Sequence, residues 1–191
     1  ANDTAIKLAW HYNKARGKSN KSKIIARQGG YHGSTVVTAS LSGLAYMHTS
    51  FNLPVSGIIF TDCPHYYRYA LESESEEEFS NRLANNLEQL ILQEGADTIA
   101  AFIAEPVMGV GGVIVPTKLY VKKIQEVLRK YDILMIADEV ICGFGRTGYM
   151  FGSETFGIEP DMMTMAKGLS SAYFPISALM ISDEIYGVMV D

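Results

Sequence analysis

Apolar positions along the chain recur at two alternating periods. The segment NDTAIKLAWHYNKARG (2–17) carries Ile6, Ala9, Trp10 and Asn13 at helical spacing and stops at Gly17, which predicts a helix. KIIAR (23–27) reads as a strand, leads into the loop QGGYHG, and is followed by a helix of small residues, STVVTASLSGLAYM (34–47), then by a strand at GIIFT (57–61). The acidic run ESESEEE (72–78) has the composition of a solvated linker. It directly precedes the stripe Phe79, Leu83, Leu87, Leu90 and Ile91, however, and acids suit a helix N-terminus because they complement its dipole. TIAAFIAEP (98–106) is a buried strand ending in Glu105, and TKLYVKKIQEVLRKYD (117–132) is an amphipathic helix through Tyr120, Ile124, Val127, Leu128 and Tyr131. ILMIA (133–137), DMMTMAK (161–167) and ISALMI (176–181) read as further strands, and a last helix begins at DEIYGVMVD. Alternation of this kind predicts an α/β fold with a mostly parallel, doubly wound sheet. There is no internal repeat and no long linker.

Composition narrows the function classes. With 191 residues and 48% hydrophobic content the chain is long enough for one well-packed core. A net charge of -5, with 16 basic against 21 acidic residues, disfavours a nucleic-acid partner. No apolar run has the length of a membrane-spanning helix, and no signal peptide or initiator Met opens the chain, so no membrane partner is expected. Cys63 and Cys142 are far apart, which argues against a disulfide framework or a zinc site and makes a reducing compartment, the cytoplasm, the expected location.

In an open α/β sheet, ligands bind outside the carboxyl ends of the strands. Glu105, Asp138 and Lys167 each stand just beyond an apolar run, so three strands would deliver two acids and one amine to one edge. A lysine among apolar neighbours, as in MMTMAKGLSSAYFP, is expected to lose hydration, which leaves more neutral amine for Schiff-base chemistry. An aldehyde cofactor that also needs a buried acid is pyridoxal phosphate, whose ring nitrogen must stay protonated for the ring to act as an electron sink. At about 3 Å and an effective dielectric near 20, a carboxylate attracts a pyridinium by roughly 5 kcal/mol, equivalent to several pKa units. Asp138 is the candidate partner.

These motifs are similar to those of the class III aminotransferases, pyridoxal-phosphate enzymes of fold type I. ANDTA stands at 1–5, YHG at 31–33, EP at 105 and 106, DEV at 138–140, GFGRTG at 143–148 and DMMTMAKGLSSAYFP at 161–175, in the family's order and spacing. The resemblance implies that Lys167 is the Schiff-base lysine and Asp138 the partner of the ring nitrogen. It places Val140 on one face of the ring and Tyr31 on the other, with His32 and Gly33 in the same binding loop. Glu105 would be the acid beside the cofactor, Glu139 a supporting or structural residue, and Arg146 a substrate-carboxylate anchor or a subunit contact. The implied reaction moves an amino group from an amine or ω-amino acid to a keto acid such as pyruvate, in a homodimer or higher homo-oligomer. An aminomutase, racemase or decarboxylase on the same scaffold, or an inactive large-domain fragment, remains open. The resemblance also sets the phosphate-binding Gly-Ser turn before Ala1 and a small domain beyond the last residue, so residues 1–191 are expected to be the central part of the large, cofactor-binding domain. Ala172 and Ser177 stand where the family commonly has glycine.

Overall fold

Runs of Ile, Ala, Val and Met with no intervening charge favour strands buried on both faces. The computed structural model, which describes residues 1–190, has six strands: β1 (Lys23–Arg27), β2 (Ile58–Thr61), β3 (Ile99–Ala104), β4 (Leu134–Asp138), β5 (Met162–Met165) and β6 (Ala178–Ile181), the inner ones largely buried and the edge strands β2 and β6 partly exposed. Their order in the single sheet is β2-β1-β3-β4-β5-β6; β1 to β5 run parallel, and β6 closes the edge antiparallel to β5.

Helices cover both faces. On one, α4 (Glu76–Glu94) and α5 (Lys118–Lys130) bury Phe79, Leu83, Leu87, Ile124 and Leu128 against Ile25, Phe102, Met135 and Ala137. On the other, α1 (Asn2–Ala15), α2 (Val36–Leu41) and α7 (Asp183–Val190) bury Ile6, Ala9, Leu41 and Ile185 against Ile24, Ala26, Ile103 and Ile136. The pairing of β1 with β3 shifts register between Lys23 and Ile24, so that Ala100 and Ala101 both face the α1 side. Two short helices, α3 (Tyr66–Tyr69) and α6 (Gly152–Phe156), complete the chain. The acidic run is a helix start and not a linker: Ser75 Oγ accepts from Glu78 N at 3.2 Å while the Glu78 carboxylate accepts from Ser75 N at 2.9 Å.

One expected helix is shorter than its pattern. The segment 34–47 is helical only through α2, followed by a 3₁₀ turn at Ala45–Met47. Gly43 is the reason. Its carbonyl accepts from Gly29 N at 2.8 Å and its N–H donates to Gly30 O at 2.9 Å, so the chain must leave the helix to lie against the loop after β1. A Cβ at Gly43 would sit 2.3 Å from Arg27 O, so only glycine permits this approach.

The chain steps from β1 outward to β2, then returns past β1 to β3 and continues through β4 and β5. The direction of strand addition therefore reverses between β1 and β3. In doubly wound sheets the crevice at the carboxyl ends of two such strands is the ligand position.

Candidate active site

A cavity of about 200 Å³ lies at that position, lined by Asn2, Tyr31, His32, Gly33, Glu105, Asp138, Val140, Ile141 and Lys167. Each lining residue is delivered by a strand end or by the start of α1. Of the nine residues given roles from the sequence, Tyr31, His32, Gly33, Glu105, Asp138, Val140 and Lys167 line it, whereas Glu139 and Arg146 do not.

Asp138, the last residue of β4, is 3% exposed. Its Oδ2 accepts from His32 Nδ1 and from Asn2 Nδ2, both at 2.8 Å. Its Oδ1 has longer contacts, accepting from Val140 N at 3.2 Å and Thr164 Oγ1 at 3.5 Å. A buried carboxylate is costly unless its lone pairs find donors; this set fills Oδ2 with two short bonds and engages Oδ1 only at longer range. His32 is fixed in turn: its backbone N–H donates to Ser42 Oγ at 2.9 Å and its carbonyl accepts from Asn2 Nδ2 at 2.8 Å. The His32 Nε2 atom is buried without a partner.

The loop carrying Tyr31 and His32 is pinned from below. Glu105 Oε1 accepts from Tyr31 N and Oε2 from Gly109 N, each at 2.9 Å, and Arg27 Nη2 donates to the Glu105 carbonyl. Glu105 thus ties the loop after β3 to the loop after β1. Gly33, at φ +137, leaves room for Thr38, whose Oγ1 a Cβ would meet at 2.5 Å.

Glu139 is adjacent in sequence but turned away from the cavity. It is fully buried, and its carboxylate accepts from Gly152 N at 3.0 Å, Ser153 N at 2.6 Å and Ser153 Oγ at 2.7 Å, holding the start of α6. Its structural role follows from these bonds. Cys142 is a buried thiol pushed by burial up to about 11, with its sulfur accepting from Val107 N at 3.3 Å. Arg146 is exposed.

Lys167 departs from expectation in one respect. It lines the cavity but is solvent-exposed, so the desolvation expected from its apolar neighbours is absent from this chain. Met162 and Met165 turn into the sheet, whereas Lys167 follows the strand's end at φ +42 and opens a segment that stays mostly exposed to Ser177. Phe144 of GFGRTG supports this turn: a Cβ at Gly168 would lie 3.0 Å from Phe144 Cβ. Ala172 adopts φ +65, the left-handed region that favours glycine, which costs an alanine about 1 kcal/mol.

Sequence reasoning did not single out Asn2, Ser42, Ile141 or Thr164. The only signal was for Asn2, inside ANDTA; its partners lie 30 and 136 positions away and no local pattern exposes them. Larger cavities of about 390, 540 and 560 Å³ lie elsewhere; the second also gathers lysines, Asp97, Asp132 and Tyr131, but none of the three lies at the switch point or contains Asp138 or Lys167.

The family described as Aminotransferase class-III matches residues 1–190. The chain is 61% identical over 189 residues to gamma aminobutyrate transaminase 1, mitochondrial, of Solanum lycopersicum, covering 99% of this chain and 37% of that one. It is 60% identical to a protein of the same name from Oryza sativa subsp. indica, with the same coverage. Among solved structures it superposes on the omega transaminase from Pseudomonas jessenii in complex with PMP at a TM-score of 0.98 and 59% identity, covering 100% of this chain and 42% of that chain. The chain thus spans about two fifths of the length of these relatives. The tomato and rice names overturn the expected cytoplasmic location. Two unpaired thiols fit any reducing compartment, so composition carried no address.

Proposed function

This chain belongs to the class-III aminotransferases, and from that membership we propose that its cavity binds pyridoxal phosphate and serves amino transfer from an ω-amino acid or amine to a keto acid such as pyruvate. The observation that carries the reading is the convergence of Asp138, Lys167, Tyr31 and His32, from separate strand ends, on one cavity at the switch point. The residues suit the cofactor's chemistry. A buried, donor-clamped carboxylate faces a cavity that also offers a free amine, an aromatic ring and the unpartnered His32 Nε2. The relatives named as gamma-aminobutyrate and omega transaminases support the choice of donor.

When bound, pyridoxal phosphate supplies an aldehyde and a protonated ring that accepts electron density from the substrate carbon. Lys167 would supply the amine that holds the aldehyde and, when free, the base that takes a proton from the donor's carbon and delivers one to the carbon of the cofactor's aldehyde. Asp138 would place its carboxylate against the ring nitrogen. Val140 and Tyr31, which both line the cavity, would hold the ring between them, and aromatic stacking suits a planar, electron-poor partner. Glu105 orients Tyr31 through its backbone N–H. His32 holds Asp138 and, with Gly33, shapes the loop wall.

The same proposal takes residues 1–191 as the central part of the large domain and the working protein as a homo-oligomer. Exposed Tyr46, Phe51, Tyr173 and Phe174 leave apolar surface for a second subunit to cover. The test is an absorption spectrum with pyridoxal phosphate before and after borohydride, in wild type and Lys167→Ala. A long-wave band that borohydride fixes only in the wild type supports the reading; no fixed adduct on Lys167 refutes it for this chain.

A further inference from the structure

Asn2 opens α1 and is 6% exposed, yet its side chain reaches across the carboxyl edge of the sheet. Both groups within hydrogen-bond reach of its nitrogen, His32 O and Asp138 Oδ2, are acceptors, each at 2.8 Å. The side chain must therefore present its NH₂ group to both, and its two hydrogens are used up. Its own Oδ1 is buried with no partner, as is Asn13 Oδ1 farther along α1, but only that of Asn2 belongs to a residue lining the cavity. Asp138 Oδ2 receives a second donor, the His32 Nδ1–H, at 2.8 Å, so its lone-pair directions are filled. Oδ1 has only contacts of 3.2 and 3.5 Å and keeps acceptor capacity.

We propose that Asn2 is a positioning residue: it locks His32 and Asp138 into one unit, saturates Asp138 Oδ2, and leaves Oδ1 as the oxygen open to the cofactor's ring nitrogen. This rests on the cofactor reading above. A merely structural asparagine would fill space at the start of α1, and any isosteric residue would serve. The role assigned here requires a donor.

The decisive variant is Asn2→Asp, which keeps the shape and replaces the donor with an acceptor. Two carboxylates at this distance repel when both are ionised and share one proton as pH falls, which restores an O–H donor to Asp138. Pyridoxal-phosphate affinity is expected to fall about 10-fold to 100-fold relative to wild type near pH 8, and to recover most of that loss near pH 5.5. Asn2→Ala is expected to lose a similar factor at both pH values. A cofactor-free readout accompanies these titrations. The downfield proton resonance of the His32 Nδ1–H should exchange with water several-fold faster in Asn2→Ala than in wild type.

An Asn2→Asp to wild-type affinity ratio that does not change with pH overturns the proposal, as does an unchanged exchange rate in Asn2→Ala. If the wild type binds no pyridoxal phosphate at all, the cofactor reading fails and the exchange measurement alone decides the clamp.

Discussion

The two ends of the same strands use buried polar groups in opposite ways. At the amino end, Lys21 is 6% exposed and donates to the carbonyls of Ile99 at 3.0 Å, Tyr131 at 3.2 Å and Asp132 at 2.7 Å, tying the entries to β1, β3 and β4 together. Its three ammonium hydrogens are all used, even though burial pushes the group below its ordinary lysine value. Buried unpartnered atoms also occur at Asn13 Oδ1 and Tyr120 Oη, but at the carboxyl end those of Asn2 Oδ1 and His32 Nε2 belong to residues lining a cavity, Arg27 Nε stands unpartnered behind them, and Lys167 is left exposed. A satisfied network stabilises the sheet. An incomplete one, on a rigid frame, marks the end where a ligand can complete it.

Four substitutions test that contrast. The largest effect is expected at Asp138: Asp138→Ala removes the buried charge and should weaken pyridoxal-phosphate binding by about 3 kcal/mol, roughly 100-fold or more, read by titration of the absorption band. Lys21→Met should act on the fold and not on the cavity. Leaving three carbonyls without a donor costs about 3 kcal/mol in urea unfolding, with cofactor affinity of the folded protein unchanged. A large loss of affinity in Lys21→Met would break the separation between the two ends.

Gly43→Ala lies between these cases. The added Cβ must displace backbone 2.3 Å away, which should cost about 2 kcal/mol of stability and also loosen the loop bearing Tyr31 and His32. Both unfolding and cofactor titrations should register it.

The smallest effect concerns Asp161, just before β5, whose Oδ2 accepts from Met135 N at 2.7 Å. Burial raises this carboxyl above its ordinary 3.8, with the Met135 N–H opposing the shift. The folded state therefore holds the proton longer than the unfolded chain. Stability is full below 3.8, falls as pH rises through the raised folded value, and is flat above it. Asp161→Asn keeps an acceptor for Met135 N, should abolish that fall, and should gain less than about 1 kcal/mol at neutral pH. A fall of the same size in the variant would assign it to another group.

Much of this architecture is legible residue by residue. The apolar runs at 23–27, 57–61 and 133–137 are strands within a residue of their expected bounds, because apolar runs this short fall below the length of an ordinary helix and their β-branched residues suit a sheet. The stripe from Phe79 to Ile91 and the acids before it specify α4 and its cap. The strand-end rule then suffices to bring Glu105, Asp138 and Lys167 to one edge, since it depends only on chain direction in a parallel sheet.

Other features depend on contacts between distant segments. The helix expected over 34–47 ends at Leu41 because Gly43 must meet the loop after β1, and helical periodicity contains no term for that approach. Lys167 is exposed because the residues after it run outward over the surface, a path that the apolar character of MMTMA does not set. The pairing of Asn2 with Asp138 spans 136 positions. Sequence by itself determined the elements, their order and the edge where the chemistry gathers, because these follow from local periodicity and chain direction. Only the tertiary structure decided which donors reach Asp138 and which of its oxygens stays open, because hydrogen bonds are set by distances of a few tenths of an ångström between residues that the chain leaves far apart.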